Sequence, residues 1–403
     1  MLEWTRRLRS VGLVAIVVVF ATATAASAVP IGDRPALGAS PVSGQPVSGQ
    51  PVSDQPESGP RPVDQQLVIS FTGDNILGTD DKFSTSNSLP TRWAENGRRP
   101  DYFFQNVRAL FGSDDLTVAN FEVPLTRRLT QRYKGEGEVY HFHGDPALAA
   151  TLPAGGIDVV TLANNHTFDY GQAGFDDTLA ALRGAGVDYF GTGDEGEGSS
   201  YDMHLLTDVK GVTFGFVGYQ AWTDSDSMRR KLVSDIRTLR ALGADVVIEF
   251  MHWGIESEHR PYGVQTQLAH LAIDSGADLV VGTHPHVIQS MEIYRGKLIA
   301  YSFGNFAFGG NSNPTDKRTF ILQTRFDMSG NTVSGVDFRV IPTRVSRTES
   351  VNDYVPTPYP PGAKEQVLAF INGLSPTLGG RAADAFVPVI PAPVPTSTAP
   401  APG

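Results

Sequence analysis

Apolar residues in this chain form short runs of strand length that alternate with longer stretches of helical periodicity. The runs predict five buried strands, at residues 67–72, 116–120, 157–162, 245–250 and 279–282. The stretches between them predict helices at residues 102–111, 174–185, 227–242 and 265–275. Three hairpins are also predicted, with turns at Lys210-Gly211, Arg295-Gly296 and Ser329-Gly330-Asn331.

The alternation of strands with helices is typical of an α/β fold. The hairpins that interrupt it favour two packed sheets over one doubly wound sheet. We therefore predict an α/β fold of four layers, a β-sandwich flanked by helices. The predicted domain occupies residues 66–345 and is followed by a C-terminal extension at residues 346–386.

The first residues of the chain resemble a targeting segment. Arg6, Arg7 and Arg9 precede an apolar run that ends in Ala26-Ser27-Ala28, a small-x-small cleavage pattern. We predict a signal peptide of residues 1–28 that is cleaved after Ala28, so the protein is expected to be extracellular or associated with the cell envelope. An uncleaved N-terminal membrane anchor is the alternative.

Low-complexity segments flank the predicted domain. Residues 29–65 are rich in Pro, Ser and Gly and predict a disordered linker, and residues 387–403 alternate Pro with Ala, Val and Thr and predict a disordered tail. Such compositions do not contain enough apolar surface to form a packed core.

Two features of the composition exclude classes of function. The chain has no cysteine, which excludes disulfides, thiol nucleophiles and zinc bound by Cys. Its formal net charge is −11, and the resulting field repels polyanions, so nucleic acid is not expected as a partner. A small anion held by metal ions remains compatible with this charge, because a local divalent cation outweighs a distant acidic surface.

Side chains of the metal-binding type follow the predicted strands, near the point where each strand ends. They are Asp74, Glu122, Asn165, His166, Asp169, His252, Glu256, His284 and His286. Because the carboxyl ends of strands converge at one edge of an α/β sheet, these groups are predicted to meet there. Carboxylate, amide oxygen and neutral imidazole together suit Mn, Fe or Zn, whereas Ca²⁺ prefers oxygen alone.

Six short motifs carry a family resemblance. They are Gly73-Asp74-Asn75-Ile76-Leu77-Gly78, Asn120-Phe121-Glu122-Val123-Pro124, Ala163-Asn164-Asn165-His166-Thr167-Phe168-Asp169-Tyr170-Gly171, His252-Trp253-Gly254-Ile255-Glu256, Gly282-Thr283-His284-Pro285-His286-Val287 and Tyr301-Ser302-Phe303-Gly304-Asn305-Phe306. Across residues 67–308 the chain resembles the CapA family of capsule and poly-γ-glutamate synthesis proteins. That family is similar in turn to the calcineurin-like metallophosphoesterases, which implies a β-sandwich with flanking helices and a two-metal site.

The resemblance implies a ligand set for two divalent metal ions. Asp74 and His286 would bind the first ion, Glu122 would bridge both ions, and Asn165, His252 and His284 would complete the second. The superfamily has a His where this chain has Ile76, so the first ion would have one imidazole fewer.

The resemblance also implies roles for side chains around the metal ions. His166 would face the substrate as a general acid or charge stabiliser, and Asp169 would orient it. Thr167 follows that His directly, where the phosphatases have an acidic residue. Asn305 and Glu256 would support a ligand or contact the substrate.

The function expected from this resemblance is the synthesis or processing of an anionic poly-γ-glutamate capsule or envelope polymer, through a hydrolase-type site with two divalent metal ions. The expected partners are the anionic polymer or a small substrate containing phosphate, together with membrane-bound components of a polymer synthase. The alternative is an accessory subunit without catalytic activity that binds, exports or tethers the polymer.

Overall fold

Seventeen strands and seven α-helices make up the part of the chain that the structure describes. The computed structural model describes residues 63–137, 139–191 and 204–389. In chain order the strands are β1 (Gln65–Ile76), β2 (Thr79–Asp80), β3 (Leu116–Phe121), β4 (Phe142–His143), β5 (Val159–Thr161), β6 (Asp188–Phe190), β7 (Leu205–Val209), β8 (Val212–Gln220), β9 (Val246–His252), β10 (Leu279–Thr283), β11 (Met291–Tyr294), β12 (Lys297–Ala300), β13 (Asn305–Phe308), β14 (Arg318–Ser329), β15 (Thr332–Arg344), β16 (Thr357–Pro358) and β17 (Val387–Pro388). The α-helices are α1 (Leu89–Glu95), α2 (Arg108–Phe111), α3 (Thr151–Gly155), α4 (Gly171–Ala185), α5 (Asp226–Ala241), α6 (Gly263–Ser275) and α7 (Ala363–Leu374).

Most of the strands belong to two large sheets, and each sheet contains a block of parallel strands. The first sheet has the order β16-β15-β14-β1-β3-β5-β6, with β13 beside β1 and β17 beside β15; β1, β3, β5 and β6 run parallel. The second sheet has the order β11-β12-β10-β9-β8-β7, and β12, β10, β9 and β8 run parallel. In each sheet the parallel strands therefore bring their carboxyl ends to one edge.

Three hydrophobic clusters lie between the layers of the fold and join neighbouring layers. Between the sheets, alternate residues Leu67, Ile69 and Phe71 of β1 lie in one cluster with Ile248 and Phe250 of β9, as expected where successive side chains of a strand point to opposite faces. A second cluster joins the first sheet to residues of α1 to α4. A third joins the second sheet to α5 and α6. The order helix, sheet, sheet, helix confirms the predicted four-layer α/β sandwich.

One predicted helix is largely wrong. The sequence predicts a helix at residues 102–111, but the helix of this region is limited to Arg108–Phe111. Tyr102, Phe103 and Phe104 are all buried, and three consecutive residues cannot share one face of an α-helix, where neighbours lie three and four positions apart. Turns place all three aromatic side chains in the core.

The first strand is longer than predicted. It continues beyond residue 72 to Ile76, because its carboxyl end pairs with β3 on one side and with β13 on the other. Asp74 therefore lies within a strand and not after one.

Residues after the predicted domain pack into the same sandwich. β16 and β17 both pair with β15, and Val367 and Ile371 of α7 lie in the cluster between the sheets. β17 occupies the first two residues of the predicted disordered tail. The predicted signal peptide lies outside the described residues, as do the linker up to residue 62 and the tail from residue 390. Among the described helices, none combines the length and hydropathy needed to cross a bilayer.

Candidate metal centre

Strands from both sheets deliver polar side chains to one site. The first sheet supplies Asp74 within β1, Glu122 directly after β3 and Asn165 in the turn after β5. The second sheet supplies His252, the last residue of β9, and the pair His284 and His286 after β10. Oxygen donors thus come from one sheet and nitrogen donors from the other.

Glu122 lies between the two halves of this set. Its Oε1 is 3.4 Å from His252 Nε2 and 3.9 Å from His286 Nε2, and Asp74 Oδ2 lies 3.1 Å from His286 Nδ1. Two groups of donor atoms, each with all members within 4.8 Å of one another, therefore share this carboxylate. The groups are Asp74, Glu122 and His286, and Glu122, His252 and His284. Asn165 joins the second group, since its Oδ1 is 2.8 Å from His252 Nε2.

The burial of these groups is compatible with a bound cation. Asp74 and Glu122 are fully buried. Neither carboxylate oxygen of Glu122 has a hydrogen-bond partner among the described residues, and neither does Nδ1 of His284. A buried polar atom without a partner costs about 1–3 kcal/mol, and more when it is charged. A divalent ion would satisfy all three atoms, and the mixture of carboxylate and imidazole suits Mn, Fe or Zn.

The charges in the site favour metal binding at neutral pH. Burial and the neighbouring imidazole of His286 lower the pKa of His284 to about 3, and burial beside these rings lowers the pKa of His252 well below its usual value. Both rings are therefore neutral donors, the form that binds metal. Burial alone would lower the pKa of His286, but the carboxylates of Glu122 and Asp74 outweigh it and raise that pKa to about 10. The carboxylates of Glu122 and Asp74 thus attract a positive charge, which a metal ion can supply.

Backbone geometry holds the two histidines in place. His284 and His286 have φ values of 96° and 57°, a region that costs a residue with a side chain about 1–3 kcal/mol. Gly282 allows the strand before them to approach β12 closely, because a Cβ there would overlap the carbonyl oxygen of Tyr301 and the indole nitrogen of Trp253. Backbone strain of this kind is typical of functional sites.

His166 and Asp169 form a pair beside the metal ligands. Nδ1 of His166 is 2.7 Å from Oδ2 of Asp169, an oxygen that also accepts a hydrogen bond from the backbone N–H of Phe142 at 2.7 Å. The Phe142 ring packs on the imidazole, with centroids 4.4 Å apart. Burial lowers the pKa of His166, while Asp169 opposes that effect. The aspartate thus fixes the orientation of the ring.

Sequence reasoning did not identify Lys134, which ion-pairs with Asp169 and lies 3.3 Å from Nδ1 of His166. It lies on an irregular segment between β3 and β4, more than 30 positions from His166, so neither periodicity nor spacing indicated it. Its cation compensates the buried carboxylate of Asp169.

Two further side chains at the centre were not assigned a role from the sequence. Asn120 donates a hydrogen bond from Nδ2 to Asp74 Oδ1 at 2.7 Å; it lies two positions before Glu122, a spacing that places both side chains on one face of an extended strand. The ring of Trp222 meets His284 edge-on, with centroids 4.6 Å apart. Trp222 directly follows a buried Ala after β8, a position without a recognisable pattern.

The remaining predicted residues lie at the margin of the site. Asn305 pairs with Asp74 across the first sheet and places its Oδ1 2.9 Å from Nδ1 of His286. Glu256 is exposed, and its carboxylate lies near the rings of His284 and His286. Ile76 is fully buried in the cluster beneath the helices.

Known proteins resemble this chain over most of the sandwich. The capsule biosynthesis protein CapA of Bacillus anthracis is 30% identical over 257 residues, which are 60% of this chain and 60% of that protein. The PGA biosynthesis protein CapA of Bacillus subtilis (strain 168) is 30% identical over 264 residues, 61% of this chain and 64% of that protein. A probable polyglutamine synthesis accessory protein of Mycobacterium tuberculosis (strain H37Rv) is 30% identical over 236 residues, 52% of this chain and 60% of that protein.

The chain therefore spans between 60% and 64% of the length of these relatives. A solved structure of a phosphatase from Mycoplasma pneumoniae is 13% identical, has a TM-score of 0.42 and covers 69% of this chain and 93% of that one. Residues 68–310, which hold every candidate ligand, match the family described as bacterial capsule synthesis protein PGA_cap. Because this match covers more than half of the chain, the protein belongs to the PGA_cap family of bacterial capsule synthesis proteins.

Proposed function

We propose that this protein acts in the synthesis or processing of an anionic poly-γ-glutamate polymer of the capsule or envelope, as a hydrolase that depends on two divalent metal ions. Family membership and the similarity to the CapA proteins of capsule and PGA biosynthesis support the involvement in capsule and poly-γ-glutamate synthesis. We also propose that the protein is exported, on the basis of the signal-like residues 1–28.

The observation that carries the catalytic part is the buried carboxylate of Glu122. It has no hydrogen-bond partner among the described residues, yet it is shared by two groups of donor atoms. Burial, together with the nearby Asp74, raises the pKa of Glu122 well above its usual value, so a neighbouring cation is needed to keep this carboxylate ionised at neutral pH. Two ions on either side of Glu122 would use Asp74 and His286 on one side, and His252, His284 and Asn165 on the other.

The residues around the ions would each have a distinct task. Bound divalent ions would supply an acidified water and a clamp for the oxygens of the reacting group. His166 would donate a proton from Nε2 to the leaving group as a general acid, because its other ring nitrogen, Nδ1, is held by Asp169. Lys134 would keep Asp169 in place for that purpose. Trp222 forms an apolar wall next to His284 and would restrict water at that side.

An accessory role is the second candidate function. The mycobacterial relative is described as a probable accessory protein of polyglutamine synthesis, and Ile76 provides no ligand at the first ion. In that case the same pocket would hold a structural ion, and the protein would bind or tether the polymer without turning it over.

Metal content and turnover measured on the same samples separate these candidates. We expect the purified protein to bind about two Mn²⁺ per chain and to hydrolyse either a generic phosphodiester or poly-γ-glutamate. The variant His166→Ala should lower kcat about 100-fold or more while the Mn²⁺ content stays the same.

Glu122→Gln is the matched comparison, because it should lose metal and activity together. One Mn²⁺ or none, with no turnover of either substrate, would leave the accessory role. Loss of metal from His166→Ala would contradict the task given to His166.

A further inference from the structure

A third group of donor atoms lies on the solvent side of the centre. The carboxylate of Glu256 and the rings of His284 and His286 have ligand atoms within 4.8 Å of one another. Glu256 is exposed, whereas Glu122, which also shares a group with each of these rings, is fully buried. The two histidines therefore lie near one buried and one exposed carboxylate.

The backbone keeps Glu256 at this position. The N–H of Ser257 donates a hydrogen bond to the carbonyl oxygen of Pro285 at 2.9 Å, which ties the loop after β9 to the turn that carries both histidines. Gly254 lies so close to Pro285 that a Cβ there would be 3.0 Å from the proline ring. Glu256 is thus held beside the imidazoles by contacts on both sides of it in the chain.

His284 belongs both to the group with Glu256 and to the group with Glu122, and one of its ring nitrogens has no partner among the described residues. This nitrogen, Nδ1, is buried, and the residue is 7% exposed. The unprotonated nitrogen of an imidazole and a carboxylate oxygen do not satisfy each other, because both atoms are hydrogen-bond acceptors. A divalent cation between them satisfies both.

We infer that Glu256 is a metal ligand: from the solvent side it would join the ligands of one of the two ions already assigned to His284 and His286, and it would not form a third metal site. This inference rests on the proposed metal centre and goes beyond it, since it changes the role of Glu256 from a support or substrate contact to a direct ligand. The mixture of one carboxylate and two imidazoles fits Mn²⁺, Fe²⁺ or Zn²⁺.

The test measures metal binding and does not depend on any activity. The full chain, freed of metal with a chelator, is titrated with Mn²⁺ in a calorimeter, next to the variants Glu256→Ala and Glu256→Gln. We expect the dissociation constant of at least one Mn²⁺ to rise by more than about 100-fold in both variants, because loss of a residue that only supports a ligand raises it about 10-fold to 100-fold. A rise within that smaller range would make Glu256 a support and would overturn the inference. Because Glu256 is exposed, both variants should keep the thermal stability of the metal-free wild type.

Glu258→Ala serves as the matched control. Glu258 is an exposed acid on the same loop, and it is not among the donor groups of the centre, so its variant should bind Mn²⁺ like the wild type. Equal affinity of the wild type and both Glu256 variants, with binding lost in Glu122→Gln, would overturn the inference and leave the proposed centre intact. A wild type that binds no Mn²⁺, Fe²⁺ or Zn²⁺ would overturn both.

Discussion

Two fully buried glutamates in the sandwich differ in their surroundings. Glu122 lies among the imidazoles of the candidate metal centre, whereas Glu249 lies in the middle of β9, with both carboxylate oxygens unpartnered among the described residues. Its neighbours across the sheet are Val217 and Val280, which belong to the hydrophobic cluster beneath α5 and α6. Burial raises the pKa of Glu249 well above its usual value; Asp235 adds to the effect and Lys231 opposes it.

Replacing this acid with an apolar side chain should stabilise the protein. Because the pKa of Glu249 is higher in the folded protein than in the unfolded chain, the folded state binds more protons and loses stability as pH rises above about 4.3, the ordinary pKa of Glu. The variant Glu249→Met should therefore be more stable than the wild type by about 1–3 kcal/mol near pH 8, with a smaller difference near pH 4. Urea unfolding at both pH values measures this.

A difference in stability that is independent of pH would contradict the role of the Glu249 charge. Glu258→Met, at an exposed position, is the control and should change stability by less than about 0.5 kcal/mol at either pH.

At the scale of elements, glycine decides how closely the strand ends approach one another. Gly282 lies in β10 beside Tyr301 and Trp253, with no room for a Cβ. His284 follows two positions later, so a displacement of this strand end moves a candidate ligand. Stability and metal affinity should therefore change together here.

The variant Gly282→Ala should have lower stability and lower affinity for Mn²⁺ than the wild type. Overpacking in a dense core costs about 1–3 kcal/mol, and the shift of His284 should weaken Mn²⁺ binding by about tenfold or more. Gly184→Ala is the control, since the position lies in α4 with open space around it; Ala there should leave metal binding unchanged and increase stability by up to about 1 kcal/mol. Urea unfolding and Mn²⁺ titration test both variants. If Gly282→Ala bound Mn²⁺ with the affinity of the wild type, the end of β10 would not be what positions His284.

The sequence predicted the elements whose patterns are local. β10 is a continuous apolar run and β9 is one interrupted by Glu249, and the polar residues at or after their ends indicated His252 and His284. The helix predicted at residues 102–111 was largely wrong because Tyr102, Phe103 and Phe104 are consecutive and all buried, which turns allow and one face of a helix does not. Lys134 could not be predicted, since its contact with Asp169 depends on where an irregular segment crosses the finished fold. β13 was missed because only its pairing with β1 makes four residues a strand.

At the scale of the molecule, the two sheets contribute different halves of the centre. Asp74, Glu122 and Asn165 come from the first sheet, and His252, His284 and His286 come from the second. A cation bound by both halves binds the folded chain and not the unfolded one, so it should stabilise the fold by mass action.

Thermal unfolding with and without Mn²⁺ measures this stabilisation. At a free concentration 100 times the dissociation constant, one ion adds about 2.7 kcal/mol, which raises Tm by several degrees, and a chelator should reverse the rise. Glu122→Gln should unfold at the same temperature with and without Mn²⁺. A rise of equal size in that variant would place the bound ion elsewhere on the protein.

The division of donors between the sheets also constrains the order of events during folding. Asp74 and His284 are 210 positions apart in the chain, and the two groups of donor atoms that share Glu122 each draw members from both sheets. High affinity for a cation at Glu122 therefore requires that the two sheets have packed together. A newly made chain is expected to acquire these cations only after its tertiary structure has formed.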